Sequence, residues 1–312
     1  MQGLTESDLF IMTDGRQDFV QAQQGMLERY GIKAQSKFIE ISSTGGQAQV
    51  LVSGEGPPVI MINGIGTPGA MWAPLVAELE GFKLYVVDLP GYGLTDTHPE
   101  FARNMRKNAV LFLEEALDSL GLDRPPFVSN SLGSLWACWL ALDRDRVGPM
   151  IHIGCPALVL NSSAPFPMRL LSAMPLGRLL TRLQPPSEKQ VRQLSKMVKE
   201  YPLVPELIDL LVATERLPAF RQMFLSTVHT LLRLRGTRPE KRLTADQLAK
   251  IHQPTLIFWG ENDPFGSPDI GKAMVESMPD AELRVVDGGH TPWLRQAKRI
   301  GPIAREFLRK HS

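Results

Sequence analysis

Three side chains in this chain have the types and spacing for nucleophilic catalysis: Ser131, Asp263 and His290. A serine hydroxyl is a poor nucleophile at its own pKa. It needs a base to take its proton and a third group to orient that base. Ser131 lies in Phe127-Val128-Ser129-Asn130-Ser131-Leu132-Gly133. Strand formers enter this segment, and a helical pattern (Leu132, Leu135, Trp136, Trp139, Leu140) leaves it. A sharp strand-to-helix turn there needs small residues two before and two after the serine, and Ser129 and Gly133 supply them. Taken alone, the segment also reads as an ordinary N-cap. His290 follows Gly288-Gly289 just past an apolar strand, where glycines let the chain bend back. Asp263 sits in Gly260-Glu261-Asn262-Asp263-Pro264, also past a strand, and an ordinary Asp-Pro turn is the alternative there. The other five histidines are worse placed and are assigned structural roles. Two backbone donors could receive an oxyanion: the Leu132 N–H at a helix start, and the Ile65 N–H in Asn63-Gly64-Ile65-Gly66.

These groups need a scaffold that delivers them from strand ends. Alternating stretches at Ser36–Ile41 and Ala48–Val52, joined by Ser43-Thr44-Gly45-Gly46, read as a hairpin. Apolar runs at Pro57–Ile62, Lys83–Val87, Pro125–Val128, Val147–Ile153 and Pro254–Trp259 read as strands buried on both faces, with Ala281–Val286 the last strand. Helical patterns alternate with them, among them Arg103–Leu120, 268–278 and Lys298–Lys310. Such alternation predicts a mostly parallel sheet of about eight strands flanked by helices, with working groups at the strand C-termini.

The chain divides into an N-terminal extension with one short helix (1–34), a core (35–155 and 250–312) and an inserted helical cap (156–249). The cap shows short helical segments punctuated by prolines and no strand pattern. From Pro156 to Lys250 it carries 15 Lys or Arg against 7 Asp or Glu, a net +8 that leaves −7 for the remainder. Its apolar series, Leu170, Leu171, Met174, Leu176, Leu179, Leu180 and Leu183, is expected to pack the cap onto the core. The alternative is that several of these line a pocket for an apolar substrate. The basic excess reads as a solvated face, with an anionic surface as the alternative.

At 312 residues, with 43% hydrophobic and 21% charged residues, the chain reads as globular. A net charge of +1 gives no reason to invoke nucleic acid. Cys138 and Cys155 lie in apolar stretches and read as buried free thiols, which suits a cytoplasmic location. Without a nearby ligand set they make no metal site, and no cofactor is expected. Met1–Met12 lacks the features of a secretory leader, and no run reaches the length of a membrane span. The sequence gives no oligomeric state.

The set of motifs resembles the α/β-hydrolase fold with a helical cap. Asn63-Gly64 stands where that family has His-Gly. Asp88-Leu89-Pro90-Gly91-Tyr92-Gly93 is similar to its D-x-P-G-x-G turn. The Asp263 and Gly289-His290 loops resemble its acid and histidine loops, in the family's chain order Ser131, Asp263, His290. Three positions depart from the pattern: Asn63, Ser129 in place of glycine, and Arg295 where many relatives carry glutamate. The resemblance implies a serine hydrolase in which Ser131 attacks, His290 carries the proton and Asp263 holds the imidazole. The expected substrate is a carboxylic ester with an apolar or medium-chain acyl group, cleaved through an acyl-enzyme, as in a carboxylesterase or lipase. The same triad could instead serve C–C bond, lactone or thioester hydrolysis or perhydrolysis, or the fold could bind a ligand without turnover.

Overall fold

Eight strands form one twisted sheet in a computed structural model that describes residues 15–311. The Met1–Met12 reading and the first part of the extension lie outside the described residues. A helix, α1 (Arg16–Arg29), leads into β1 (Ala34–Ile41) and β2 (Gly46–Ser53), the antiparallel hairpin expected from their alternation. The apolar runs become β3 (Pro58–Ile62), β4 (Lys83–Val87), β5 (Phe127–Ser129), β6 (Met150–Ile153), β9 (Thr255–Gly260) and β10 (Ala281–Val286). The order is β1-β2-β4-β3-β5-β6-β9-β10, parallel from β4 onward. β5 and β6 are buried along their whole length, as a strand covered by helices on both faces must be. Strand β6 begins at Met150 and not Val147, because Pro149 has no N–H for the ladder.

Flanking helices include α2 (Ala73–Val76), α3 (Met105–Leu120), α4 (Leu132–Arg144), α11 (Pro268–Ser277) and α12 (Trp293–His311). The last starts five residues earlier than its sequence pattern suggests and carries a non-helical Gln296. Two apolar clusters fill the two sides of the sheet. One contains Phe112, Phe127, Trp136 and Trp259. The other contains Phe19, Phe258, Trp72 and Trp293, the last two stacked at 4.1 Å between ring centroids.

Between β6 and β9 the chain runs through α5 (Phe166–Leu171), α6 (Met174–Leu183), α7 (Glu188–Met197), α8 (Pro205–Arg216), α9 (Phe220–Leu231) and α10 (Ala245–Leu248). This segment also holds a two-stranded hairpin, β7 (Leu232–Arg233) with β8 (Gly236–Thr237), where the sequence showed no strand pattern. Two-residue strands are too short to show an alternation. The expected packing of the early leucine series onto the core holds only in part. Leu170, Leu171 and Leu180 line a cavity, while Leu176, Leu179 and Leu183 are exposed. Helix α1 buries Phe19, Met26 and Leu27, and its Arg29 pairs with Glu206 of α8 at 3.0 Å. The extension is therefore tied to the insertion as well as to the core.

Candidate active site

Ser131 has φ 51° and ψ −112°, a strained backbone for a residue with a Cβ. Local bonds over-determine it. The Gly133 N–H donates to Asn130 O and Asn63 O, and Ala157 N–H and Leu135 N–H both donate to Ser131 O. A Cβ on Gly133 would stand 2.6 Å from Asn63 O, so the helix could not start this close to the β3 loop with any other residue. The turn lifts Ser131 into the wall of a cavity of about 450 Å³ that also exposes His290.

His290 is held from several directions. Its Nδ1 lies 2.9 Å from Asp263 Oδ2 and 3.1 Å from Oδ1. The same carboxylate accepts from Cys155 N–H at 2.8 Å and Phe265 N–H at 2.9 Å. The turn Gly154-Cys155-Pro156 thus has no acid of its own but donates to the acid of the next strand. The Phe265 ring stacks on the imidazole at 4.0 Å between centroids. Asn130 Nδ2 donates to His290 O at 3.0 Å and to Ile153 O at 2.6 Å, tying the serine turn to the histidine loop. With the Nδ1 proton directed at Asp263, Nε2 presents a lone pair. It is buried and has no partner among the described residues. A base oriented by a carboxylate, with its free nitrogen in the cavity that holds a raised serine, can move a proton to and from that serine.

The two residues expected to offer backbone donors, Ile65 and Leu132, lie beside Ser131. Leu132 is the first residue of α4, where an N–H has no intrahelical acceptor. Ile65 N–H donates to no protein acceptor among the described residues. Ile65, Ser131 and Leu132 together line a second, small cavity of about 40 Å³.

The three departures each have a local account. Asn63 Nδ2 donates to Pro68 O and so closes the loop that carries Ile65. Ser129 Oγ accepts from Ser134 Oγ at 3.2 Å and lies 3.0 Å from His152 Nδ1 in a fully buried chain. Arg295 Nε donates at 3.1 Å to Glu200 Oε2. Sequence reasoning gave Glu200 no role. Its other oxygen accepts from Gly289 N–H at 2.5 Å, and Val198 O accepts from His290 N–H at 3.0 Å. The short segment after α7 therefore clamps the histidine loop. A Cβ on Gly289 would collide with the Val198 carbonyl oxygen. Burial pushes the Glu200 carboxyl up, against the pull of Gly289 N–H and Arg295. An acid inside a strongly basic segment was the only signal in the sequence.

Replacing Glu200 by Ala leaves Gly289 N–H and Arg295 without their acceptor and frees the histidine loop. The expected kcat loss is about 10²-fold, the scale of a 1 Å misplacement. Glu200→Gln, which keeps an acceptor for Gly289, should recover most of it in steady-state assays.

His152 gives a pH prediction. Burial lowers its pKa to about 4, from an ordinary 6.5. The folded state thus resists the proton that the unfolded chain accepts. The neutral ring's contribution is complete above pH 6.5 and is lost as pH falls toward 4, by about 3 kcal/mol. Urea midpoints between pH 7 and 4.5 should fall less steeply in His152→Gln than in the parent chain.

A second unassigned acid, Glu215 of α8, lines the large cavity. Burial alone pushes its carboxyl up to about 7. Arg221 is exposed and is the one Lys or Arg lining that cavity among the described residues.

A family model described as alpha/beta hydrolase fold matches residues 57–294. The chain is 27% identical over 290 residues to a 2-hydroxy-6-oxononadienedioate/2-hydroxy-6-oxononatrienedioate hydrolase from Burkholderia vietnamiensis, covering 89% of this chain and 96% of that protein. Carboxylesterase CesB from Bacillus subtilis superposes with a TM-score of 0.75 at 20% identity, covering 96% of this chain and all (100%) of that one. A 2-hydroxy-6-oxo-6-phenylhexa-2,4-dienoate hydrolase from Rhodococcus superposes with a TM-score of 0.72 at 20% identity, covering 89% and 99%. No helix among the described residues is long and apolar enough to cross a membrane.

Proposed function

The chain belongs to the alpha/beta hydrolase fold family, and from that premise we propose that it cleaves a carbon–carbon bond beside a ketone in a 2-hydroxy-6-oxo-dienoate-type substrate. The observation that carries the hydrolytic chemistry is His290: Nδ1 on Asp263, Nε2 unpartnered and buried, in the same cavity wall as Ser131. The choice of bond is supported by the Burkholderia relative, which aligns over nearly its whole length.

In this reading Ser131 Oγ attacks the ketone carbon as His290 Nε2 takes its proton. The Ile65 and Leu132 N–H groups receive the oxyanion. Collapse breaks the C–C bond. In the 2-keto tautomer of the substrate the bond's electron pair delocalises through the adjacent alkene to the C2 ketone oxygen, and the fragment takes the proton from His290 and departs. Water, deprotonated by His290, then attacks the acyl-serine, releases a carboxylic acid and restores the hydroxyl. Asp263 keeps the imidazole in one tautomer throughout. The insertion between β6 and β9 acts as the cap, since its leucines form much of the cavity wall. The substrate carboxylate points to Arg221. Burial raises the Glu215 carboxyl pKa to about 7, which favours its neutral form and weakens its opposition to an anion.

A second reading, hydrolysis of a carboxylic ester with an apolar acyl chain, is favoured by the leucine and phenylalanine lining of the large cavity. One comparison separates the two. The decay of 2-hydroxy-6-oxo-6-phenylhexa-2,4-dienoate absorbance is measured beside p-nitrophenyl esters from acetyl to palmitoyl. A kcat/KM for the dienoate at least about 10²-fold above the best ester is expected. The reverse ratio assigns the ester. Absence of turnover on both, with no labelling of Ser131 by a fluorophosphonate, leaves a binding protein.

A further inference from the structure

We propose that the outer face of α6, with Phe166 of α5 beside it, docks the protein on an anionic lipid surface. Leu176, Leu179 and Leu183 are 37%, 53% and 68% exposed. Their spacing of three and four residues puts all three on one side of the helix. Phe166 on the preceding helix is 57% exposed and Leu194 on α7 is 41% exposed. Five of the large apolar side chains most open to solvent thus lie on three consecutive helices. Scattered exposed leucines are ordinary, but a clustered set on one helix face marks an interaction surface.

Charge says what covers that face. From Arg146 to Ser187 the chain has no Asp or Glu, while α5 and α6 carry Arg169, Arg178 and Arg182. Arg178 and Arg182 are exposed and make no ion pair among the described residues. A leucine face flanked by unpaired arginines is the composition of a helix that lies in a lipid headgroup layer. A second copy seated on the same face would place like arginines against each other, and the one carboxylate on these three helices, Glu188, is already paired with Arg192. The same helix contributes Leu180 and Thr181 to the large cavity, and the exposed Gln184 and Leu194 also line it. Docking there would hold the cavity mouth at the lipid boundary. This holds whichever bond the site cleaves.

The test is co-sedimentation of the full chain with vesicles of phosphatidylcholine alone and with about 30% phosphatidylglycerol. Binding to the anionic vesicles, weakened by salt and absent from the neutral ones, is the expected result. Leu179→Ser with Leu183→Ser should lower the partition coefficient about tenfold or more. Arg178→Gln with Arg182→Gln should remove the preference for anionic lipid. None of these four side chains lines the cavity, so thermal midpoints and turnover of a water-soluble substrate should match the parent. No binding to anionic vesicles, or equal binding by both double variants, overturns the proposal. So does concentration-dependent self-association that the leucine variant abolishes, which would assign the face to a second copy.

Discussion

Ser131→Ala is expected to lower kcat about 10⁶-fold, the scale on which a catalytic serine acts within a unit of base and orienting acid. The change is clean because Ala keeps the Cβ. The strained backbone at φ 51° already accommodates that atom, and the bonds that hold the turn come from main chain at Gly133, Leu135 and Ala157. Only the hydroxyl is lost. Thermal midpoints should therefore stay within a few degrees of the parent, while turnover of the dienoate, or of the best ester, collapses. Covalent capture by a fluorophosphonate should vanish in parallel. Activity within tenfold of the parent would mean that water, and not Ser131, attacks the carbonyl.

The parts that were legible in the sequence share one property: their chemistry and their geometry are both local. The Ser131 turn needs a strand before it, a helix after it and small residues on both sides, all within a few positions. The Asp263 and His290 loops are likewise marked by the strands they follow. Apolar runs placed the buried strands because a strand covered on both faces has no polar face to show. The insertion obeys no such rule. A helical leucine pattern states that a face is apolar but not what covers it, so Leu180 at the cavity and Leu179 in solvent look alike in sequence. Glu200 was equally silent. Its partners, Gly289 and Arg295, lie about ninety residues away, and only the fold brings them together. The acid missing from the Gly154-Cys155-Pro156 turn has the same lesson, since its backbone N–H serves an acid from another strand.

Asp263→Asn should cost about 10⁴ in kcat with KM nearly unchanged, and the reason is the tautomer. Asp263 accepts from three donors: His290 Nδ1–H, shared between Oδ2 and Oδ1, Cys155 N–H on Oδ2 and Phe265 N–H on Oδ1. An asparagine has one acceptor oxygen and an NH₂ that can only donate. If the oxygen takes the Oδ1 position it keeps Phe265 N–H, and the NH₂ faces Cys155 N–H and the nearer contact to Nδ1. The imidazole then moves its proton to Nε2, the atom that must accept from Ser131. If the oxygen takes the Oδ2 position it keeps Nδ1 and Cys155 N–H, and Phe265 N–H faces the NH₂; either way one backbone N–H loses its acceptor, at a cost of about 1–3 kcal/mol. The first arrangement removes the basic Nε2 and the second keeps it at the same cost in stability; neither changes the cavity that binds substrate. Steady-state kinetics and urea unfolding on the same preparation separate the terms. A variant that lost stability but kept kcat within tenfold would reduce Asp263 to a brace for Cys155 and Phe265. A variant that lost kcat alone would make the carboxylate the group that decides which imidazole nitrogen is free to act.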